Sequence, residues 1–449
     1  MSVPSLEDYG ISPITGFLPE DQPQVLLPEV YAPWLFIAGN LSTLIKTNQL
    51  RAKVDSMPVI DAGKLHSVAE QRRAYSILAF LAHAYVWSPP ATNDRLPQQI
   101  AEPLLELSSK LGVPPLATYA GLVLWNYKLK DLSLDMSPEE AFKLSNISAL
   151  TTYTGEIGET WFYCVSVFLE KSGGPSLSNG MNIIKSAHAN DSKGMIASLN
   201  LLAKDIVNMT DIMMSLYENL DANFFYNTLR PFLAGWKGME KNGLPDGVYY
   251  GDEQTARKYA GGSNGQSSLI QALDIILNVQ HHATGTRIPP SPMASTNASN
   301  SSSSASSETS GTSGTSGTPG TPGSGRGNAF LMDMRNYMPK EHREFLEMLE
   351  EFSITRKYVV EHAEDSELTL AYDNCIKQLR DFRSKHIQVV MRYISLQSRK
   401  QNSGVGLAMS KGDVGTGGTE LMPFLKQTRD EVTDTACGDW ARSIVSSSK

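Results

Sequence analysis

Apolar residues recur along most of the chain at intervals of three and four, the period of an amphipathic helix, and the alternation typical of exposed strands is scarce. The clearest early run, Val68 to Trp87, follows a capping box at Ser67-Val-Ala-Glu70 and stops before Pro89-Pro90. A second helical run is predicted from Leu116 to Tyr127. The pattern therefore predicts an all-α fold.

The later part of the chain continues the helical period. Its predicted helical runs share an apolar stripe and span Trp161–Glu170, Leu199–Leu220, Leu269–Gln280, Glu341–Phe352 and Ser366–Leu396. Asp221 is placed to cap a short helix, and a last amphipathic helix begins near Glu420. Nearly every apolar segment of the chain is thus assigned to a helix.

Composition divides this helical chain into regions. A Thr/Gly-rich passage from Thr151 to Gly158 predicts a domain boundary near residue 150, with a small N-terminal helical domain at 1–150 and a large C-terminal domain at 151–449. Residues 284–327 are mostly Ser, Thr, Gly and Pro, so they bury too little to offset the entropy of ordering them. We expect a long disordered insertion there, within the large domain.

Charge and cysteine content narrow the class of protein. The 39 basic and 47 acidic residues give a net charge of −8 without a long block of either sign, which disfavours binding to nucleic acid or an anionic membrane. The N-terminus has no secretory signal pattern, and no apolar stretch approaches the ~18 residues of a spanning helix. The three cysteines, Cys164, Cys375 and Cys437, are far apart and exclude a disulfide framework. These features predict a cytoplasmic protein.

His386 is the first candidate for chemistry, because it falls on an apolar helical stripe with Leu379, Phe382, Val389 and Tyr393. Two interpretations are open. The histidine is a core residue bonded to a neighbour, which is the commoner case for a lone histidine, or it is an axial ligand of a haem iron that leaves the sixth position open for oxygen.

Two arginines could recognise carboxylates. Arg383, nearly one turn before His386, could pair with a haem propionate. Arg230 follows Phe225 and Tyr226, so its guanidinium could hold a carboxylate in a bidentate pair while the rings accept a planar ligand. The alternative is a core aromatic pair beside a surface arginine.

Two other motifs are weaker signals. The loop Gly261-Gly-Ser-Asn-Gly265 precedes a helix and predicts backbone N–H groups that could bind an anion, although it lacks the ending of a Walker loop, as does Gly415–Thr419. His281 and His282 are adjacent, so their rings diverge and make a poor chelate. We expect both to be surface histidines at the mouth of a loop.

Five segments, taken in order, carry a more specific signal than any one of them alone. They are Leu229–Gly238, Gly261–Asp274, Asp333–Pro339 with His342–Leu346, Arg383–Gln388 and Gly415–Met422. Together they resemble the signature stretches of the indoleamine 2,3-dioxygenase family, as do Pro13–Pro19 and Tyr119–Asn126. The resemblance covers nearly the whole chain except the insertion and the extreme C-terminus.

This resemblance implies an all-helical haem protein with a small N-terminal domain and a large haem domain. It implies insertion of O2 across the indole C2–C3 bond of L-tryptophan to give N-formylkynurenine, the first step of the kynurenine pathway towards NAD. One haem b per chain would be held by His386 as the iron ligand. Asp274 would accept the imidazole N–H, directly or through water, and Arg383 and Ser263 would lie beside the cofactor.

The same resemblance assigns the substrate side of the site. Arg230 would bind the substrate carboxylate, and Thr416 would close on the amino-acid head group from a mobile loop. The other implied residues are Phe225, Tyr226, Tyr119, Phe162 and Ser166 in the distal pocket, and Gly261, Gly262 and Ser263 in the loop over substrate and propionate. Tyr226 stands where the family often has Phe, and Tyr163 and Leu122 also depart from the vertebrate pattern. With the insertion, these departures indicate a fungal-type member.

Three functions stay open at this stage. The first is the haem dioxygenase, with L-tryptophan and O2 as substrates, an unidentified reductant, and no nucleic-acid or membrane partner; we expect it to be a monomer. The second is a haem-binding paralogue that senses or regulates with little turnover. The third, a helical scaffold without haem, leaves the ordered motifs unexplained.

Overall fold

The structure is a computed structural model that is predominantly helical, which confirms the predicted all-α class. It describes residues 3–131, 141–287, 328–400 and 421–438. Strands within these ranges form two small sheets: β1 (Arg95–Leu96) is parallel to β4 (Tyr249–Tyr250), and β2 (Tyr127–Leu129) is antiparallel to β3 (Ile147–Ala149).

The first part of the chain is organised around one buried helix. The helices of this part are α1 (Ala32–Gly39), α2 (Leu41–Lys46), α3 (Leu50–Asp55), α4 (Val68–Trp87) and α5 (Gln98–Leu111). Helix α4 has the predicted bounds, and its capping box is formed, with the Ser67 hydroxyl accepting from the Glu70 N–H at 3.1 Å. From Arg73 to Trp87 every residue of α4 is buried, so the helix forms part of the core on all sides.

The helix predicted from Leu116 to Tyr127 is wrong in extent. A single π-helical turn, Ala120–Leu124, forms within this range, and Tyr127 opens β2. Side chains from elsewhere take up the backbone groups that would begin the helix. The Tyr75 hydroxyl donates to the Leu116 carbonyl at 2.6 Å, and the Ala117 N–H donates to His83 Nε2 at 3.1 Å.

The second part of the chain packs long helices side by side. Its helices are α6 (Ile157–His188), α7 (Ser192–Met214), α8 (Leu216–Asn219), α9 (Ala222–Phe224), α10 (Arg230–Leu233), α11 (Ser268–Ile276), α12 (Ala329–Arg335), α13 (Lys340–Phe352), α14 (Thr355–Glu361), α15 (Ser366–Val390), α16 (Leu396–Lys400) and α17 (Leu421–Asp434). Helix α7 packs against both α6 and α15, and α17 packs on α15. None of the described helices is both long and apolar enough to cross a lipid bilayer.

Two π-helical turns interrupt the helices of this part. Asp221 caps α9 as predicted, its carboxylate accepting from the Phe224 N–H at 2.8 Å, and the turn Phe225–Leu229 then leads into α10. The second turn, Met391–Ser395, follows α15. Such turns tilt the side chains that follow them, and they are frequent at functional sites.

The buried core is continuous across residue 150. Buried apolar side chains from both parts of the chain, including Phe80 and Tyr163, form one cluster. Two hydrogen bonds add to this contact: the Trp87 indole donates to the Ala234 carbonyl at 2.9 Å, and His83 Nδ1 lies 2.8 Å from the Phe232 carbonyl. The domain boundary near residue 150 stays a prediction.

The first four residues of the predicted insertion are in contact with the folded chain. Residues 284–287 are held by α17: the Gly285 N–H donates to Gln427 at 2.7 Å, and Arg287 pairs with Asp434 at 2.7 Å. Their partners lie in a distant segment, so composition could not reveal them. Residues 288–327 of the insertion, and Thr416 with its closing loop, lie outside the described residues.

Candidate active site

A mostly apolar cavity of about 250 Å³ lies between α6, α11, α15 and α17. It brings together most of the residues that the sequence singled out: Tyr119, Phe162, Ser166, Phe225, Arg230, Gly262, Ser263, Asp274, Arg383 and His386. Tyr226 does not line it; the phenol ring packs against the guanidinium of Arg230, 5.1 Å from ring centre to Cζ. Gly261 likewise does not line the cavity, whereas Gly262 does.

His386 lies on helix α15, in the apolar stripe noted in the sequence, and lines the cavity. Burial and the nearby positive charge of Arg383 lower the pKa of His386 to about 4, so the imidazole is neutral at physiological pH. Among the described residues, neither ring nitrogen has a hydrogen-bond partner. A neutral imidazole with an available lone pair can ligate a metal ion.

Asp274, on α11, is the acidic group of this wall. Its Oδ2 accepts from the Arg383 guanidinium and lies 3.2 Å from His281 Nε2. Burial alone would raise the pKa of Asp274, but the charges of Arg383 and His281 outweigh burial and the pKa lies below its ordinary value. Oδ1 is buried and has no hydrogen-bond partner within the described ranges. It can accept one further hydrogen bond.

The prediction that His281 and His282 are both surface residues is wrong for His281. Its side chain is only 8% exposed, and Nδ1 lies 2.7 Å from Oε2 of Glu431, a buried residue of α17. His282 is 33% exposed, with Nδ1 3.3 Å from Glu431 Oε1. The chain after α11 passes beneath α17, and no local sequence pattern could have indicated a partner so far along the chain.

Aromatic rings form the opposite wall. The Phe162 and Phe225 rings are 5.2 Å apart, and Phe225 meets Tyr393 edge to face at 5.7 Å. The Ser166 hydroxyl lines the cavity one turn beyond Phe162 and donates to its carbonyl at 3.1 Å. This wall offers flat, mostly apolar surface, which suits a planar aromatic ligand.

Arg230 is buried at the cavity wall, so the alternative of a surface arginine is wrong. Its residue is 4% exposed, and the charge lies over the Tyr226 ring in a cation–π contact. Helix α10 is only four residues long and is fixed at its far end by the bonds from α4 to Phe232 and Ala234. A buried arginine held in this way can recognise an anionic ligand group.

Glu170 is a polar residue of the site that sequence reasoning missed. It lies on α6, one turn after Ser166, and its Oε1 accepts from the Tyr119 hydroxyl at 2.9 Å and the Ser267 hydroxyl at 2.6 Å. Burial raises the pKa of Glu170 to about 7, although the two hydroxyls partly oppose the shift. Tyr119 and Ser267 both line the cavity, so their hydrogen bonds to Glu170 help to fix the position of two lining side chains.

The glycine-rich loop closes the cavity by close backbone contact. The backbone at Gly261 passes so close to the backbone at Gly235 that a Cβ on either glycine would collide with the backbone of the other segment. The expected anion-binding N–H groups are used within the loop, since those of Gly265 and Gln266 donate to the side chain and carbonyl of Ser263. The expectation of an N–H anion site is therefore wrong for these two groups.

A predominantly helical fold around a mostly apolar cavity with a few converging polar groups is typical of a protein that binds a small molecule. Residues 5–435 match the sequence profile of the indoleamine 2,3-dioxygenase family. The chain therefore belongs to the indoleamine 2,3-dioxygenase family, as its motifs indicated, and is an oxidoreductase of the dioxygenase class.

Individual relatives match over almost their whole length. An indoleamine 2,3-dioxygenase of Saccharomyces cerevisiae is 40% identical over 97% of this chain and 94% of its own. A protein of the same name from Aspergillus nanangensis is 34% identical over 95% of this chain and 96% of its own. A 6-hydroxytryptophan 2,3-dioxygenase of Fusarium equiseti is 32% identical over 96% of this chain and 98% of its own.

Proposed function

We propose that the protein is a haem-dependent dioxygenase that inserts O2 across the indole C2–C3 bond of L-tryptophan and yields N-formylkynurenine. This reaction would be the first step of a kynurenine route towards NAD. The protein would work as a cytoplasmic monomer and receive electrons from a reductant not yet identified. The single observation that carries the proposal is that one cavity contains both the neutral His386 and the buried Arg230, between aromatic walls.

The residues present fit a haem. His386 has no hydrogen-bond partner among the described residues, and the buried Oδ1 of Asp274 can accept one more hydrogen bond. Arg383 supplies a positive charge at the same wall, as a propionate requires. His386 would hold the iron, with Asp274 and Arg383 beside the cofactor; when bound, haem supplies the redox-active iron that dioxygen chemistry needs.

The protein's own contribution to the reaction is positioning. The substrate carboxylate would pair with Arg230, and the indole would lie against Phe162 and Phe225, which fixes its C2–C3 bond relative to the cofactor. Ser166 and Ser263 line the cavity with hydroxyl groups for the polar parts of the substrate. Because both oxygen atoms end in the product, the reaction consumes no net electrons and needs no acid–base histidine on the substrate side.

The choice of indole is the finer part of the proposal. The Fusarium relative is named for a hydroxylated tryptophan, so a related pocket accommodates a substituent on the ring. In this chain Tyr226 contacts Arg230 and does not line the cavity, and the two rings proposed to contact the indole, Phe162 and Phe225, have no polar substituent. We infer a preference for unsubstituted L-tryptophan over its 6-hydroxy derivative.

Spectroscopy and product analysis test the proposal. The purified protein is expected to show a Soret band, to change its spectrum on reduction and on addition of L-tryptophan, and to form N-formylkynurenine in air. Absence of a Soret band after haem reconstitution contradicts the haem assignment. A Soret band without product would favour the sensing paralogue, and faster turnover of 6-hydroxytryptophan would overturn the substrate preference.

A further inference from the structure

A chain of buried polar side chains runs from the cavity wall to the C-terminal helix α17. Arg383 bonds to Asp274, Asp274 to His281 at 3.2 Å, and His281 to Glu431 at 2.7 Å. The side chains of Asp274, His281 and Glu431 are 6%, 8% and 1% exposed. The function proposed above assigns roles to Asp274 and Arg383 and leaves His281 and Glu431 without one.

The geometry fixes the charge of His281. Each of its ring nitrogens faces a carboxylate oxygen, and an ionised carboxylate can only accept hydrogen bonds. Both nitrogens must therefore donate, which makes the ring an imidazolium. In agreement, burial alone would lower the pKa of His281, but Asp274 and Glu431 outweigh burial and raise the pKa above its ordinary value. The cluster then contains two positive and two negative charges.

Glu431 has further anchors that make it a fixed end of this chain. It accepts from the His282 N–H at 3.0 Å and from the Gln427 side chain at 2.8 Å. The opposite end is Asp274 Oδ2, where His281 and Arg383 donate to the same atom. Removing His281 would leave Asp274 with Arg383 as its remaining partner and leave Glu431 with one partner fewer.

We propose that His281 is a positioning residue for the cofactor wall. As an imidazolium between Asp274 and Glu431, it fixes the Asp274 carboxylate, holds Arg383 in place through it, and supplies a positive charge close to the haem site. The proposal rests on the proposed haem function. It assigns to His281 both a geometric and an electrostatic role.

The test compares His281→Gln with the matched control His282→Gln, because both histidines contact Glu431 and only His281 contacts Asp274. Haem-loaded proteins are titrated with a one-electron reductant. Loss of the buried positive charge disfavours the reduced iron, so His281→Gln is expected to lower the reduction equilibrium constant about tenfold, or ~59 mV. The control is expected to keep the parent potential, and His281→Lys to recover part of the shift.

A measurement without haem keeps the inference separate from the proposed function. In long-range proton–nitrogen NMR of the haem-free parent, both ring nitrogens of His281 are expected to carry protons at neutral pH. A neutral His281 tautomer overturns the inference, as does a parent-like potential in folded His281→Gln. A parent that never binds haem contradicts the proposed function instead, while the NMR result still decides the charge of His281.

Discussion

His386 and Arg230 share one cavity, yet we expect their removal to have different effects. His386→Ala deletes the only candidate iron ligand at the α15 wall but keeps most of the helix's apolar stripe. Haem incorporation should therefore be lost while helical content stays near that of the parent. The Soret absorbance per chain and far-ultraviolet circular dichroism check this, with exposed Lys385→Ala on the same helix as control. A mutant with full haem content would exclude His386 as the ligand.

Arg230 is predicted to act on the substrate alone. Truncating one partner of a desolvated, charge-assisted pair costs roughly 2 to 5 kcal/mol, or about 30-fold to several thousand-fold in affinity or rate. We expect Arg230→Ala to lose that much in kcat/KM for L-tryptophan with normal haem content, and Arg230→Lys to recover only part, because lysine lacks the fork.

Indole analogues without a carboxylate provide the control for Arg230. They should bind the parent and Arg230→Ala about equally, since they have no group for the guanidinium. Unchanged kcat/KM for L-tryptophan in Arg230→Ala would rule out the carboxylate role.

We expect Glu170 to make the free energy of unfolding depend on pH. Its pKa is raised from 4.5 to about 7 in the folded protein, so the unfolded chain ionises first as the pH rises. The stabilising contribution is complete below about 4.5 and is lost as the pH rises through about 7, a change of roughly 3 kcal/mol. Glu170→Gln cannot ionise, so its melting temperature should vary less across this window. Thermal melts check this against Glu102→Gln, an exposed control; equal slopes in Glu170→Gln and the parent would contradict it.

At the residue scale, the residues that could be predicted from sequence are those whose position depends on spacing within one helix. His386 was found because its stripe repeats within one helix. The charged state of His281 and the role of Glu170 could not be predicted, because each depends on partners contributed by distant segments, Glu431 for the first and Tyr119 with Ser267 for the second.

At the scale of elements, helix ends with their own capping residues were predictable. Ser67 and Glu70 set the start of α4, and both lie within the first turn. The segment from Leu116 onwards was mispredicted because Tyr75 and His83, on another helix, bond its backbone. Helical period alone does not reveal such competition.

The crossing of Gly235 and Gly261 is the element contact most sensitive to a single methyl group. A Cβ at Gly261 would collide with the Leu233 carbonyl, and backbone cannot move aside as a side chain can. We expect Gly261→Ala to destabilise the protein by about 1 to 3 kcal/mol or more and to raise KM, because the loop that carries Ser263 is displaced.

Denaturant unfolding and substrate titration test this against Gly39→Ala. A Cβ at Gly39 meets nothing within 4 Å, so that variant should be near neutral. If both variants unfold at the same denaturant concentration, the crossing is not as tight as described.

At the scale of the whole molecule, the two ends of the insertion are tied together. The Asn328 side chain donates to the His282 carbonyl at 2.8 Å, and Gln427 holds the same stretch of chain from α17. Loop entropy changes by only ~0.6 kcal/mol per doubling of length. Deleting residues 291–324 should therefore leave haem content and thermal stability nearly unchanged, as spectra and melts can measure. A large loss of folded protein would assign the insertion a structural role.

The overall class and most of the cavity residues were predictable because motifs spread along nearly the whole chain resemble those of one family. Their convergence was not predictable from spacing. Tyr226 shows the limit: it matched a pocket position by sequence, yet it supports Arg230 from outside the cavity. Which neighbour of an aromatic pair faces a ligand depends on the π-helical turn that rotates them.

The hydrogen bonds from α4 to the Phe232 and Ala234 carbonyls also limit which fragments of the chain can be produced separately. A fragment beginning near residue 151 would contain Arg230 and His386 but would lack His83 and Trp87, which bond the carbonyls of Phe232 in α10 and of Ala234 just after it. Leaving buried carbonyls without donors costs about 1 to 3 kcal/mol each. Expression trials, split reporters and chimaeras with relatives should therefore keep α4 and α10 on the same polypeptide, whatever junction they use elsewhere.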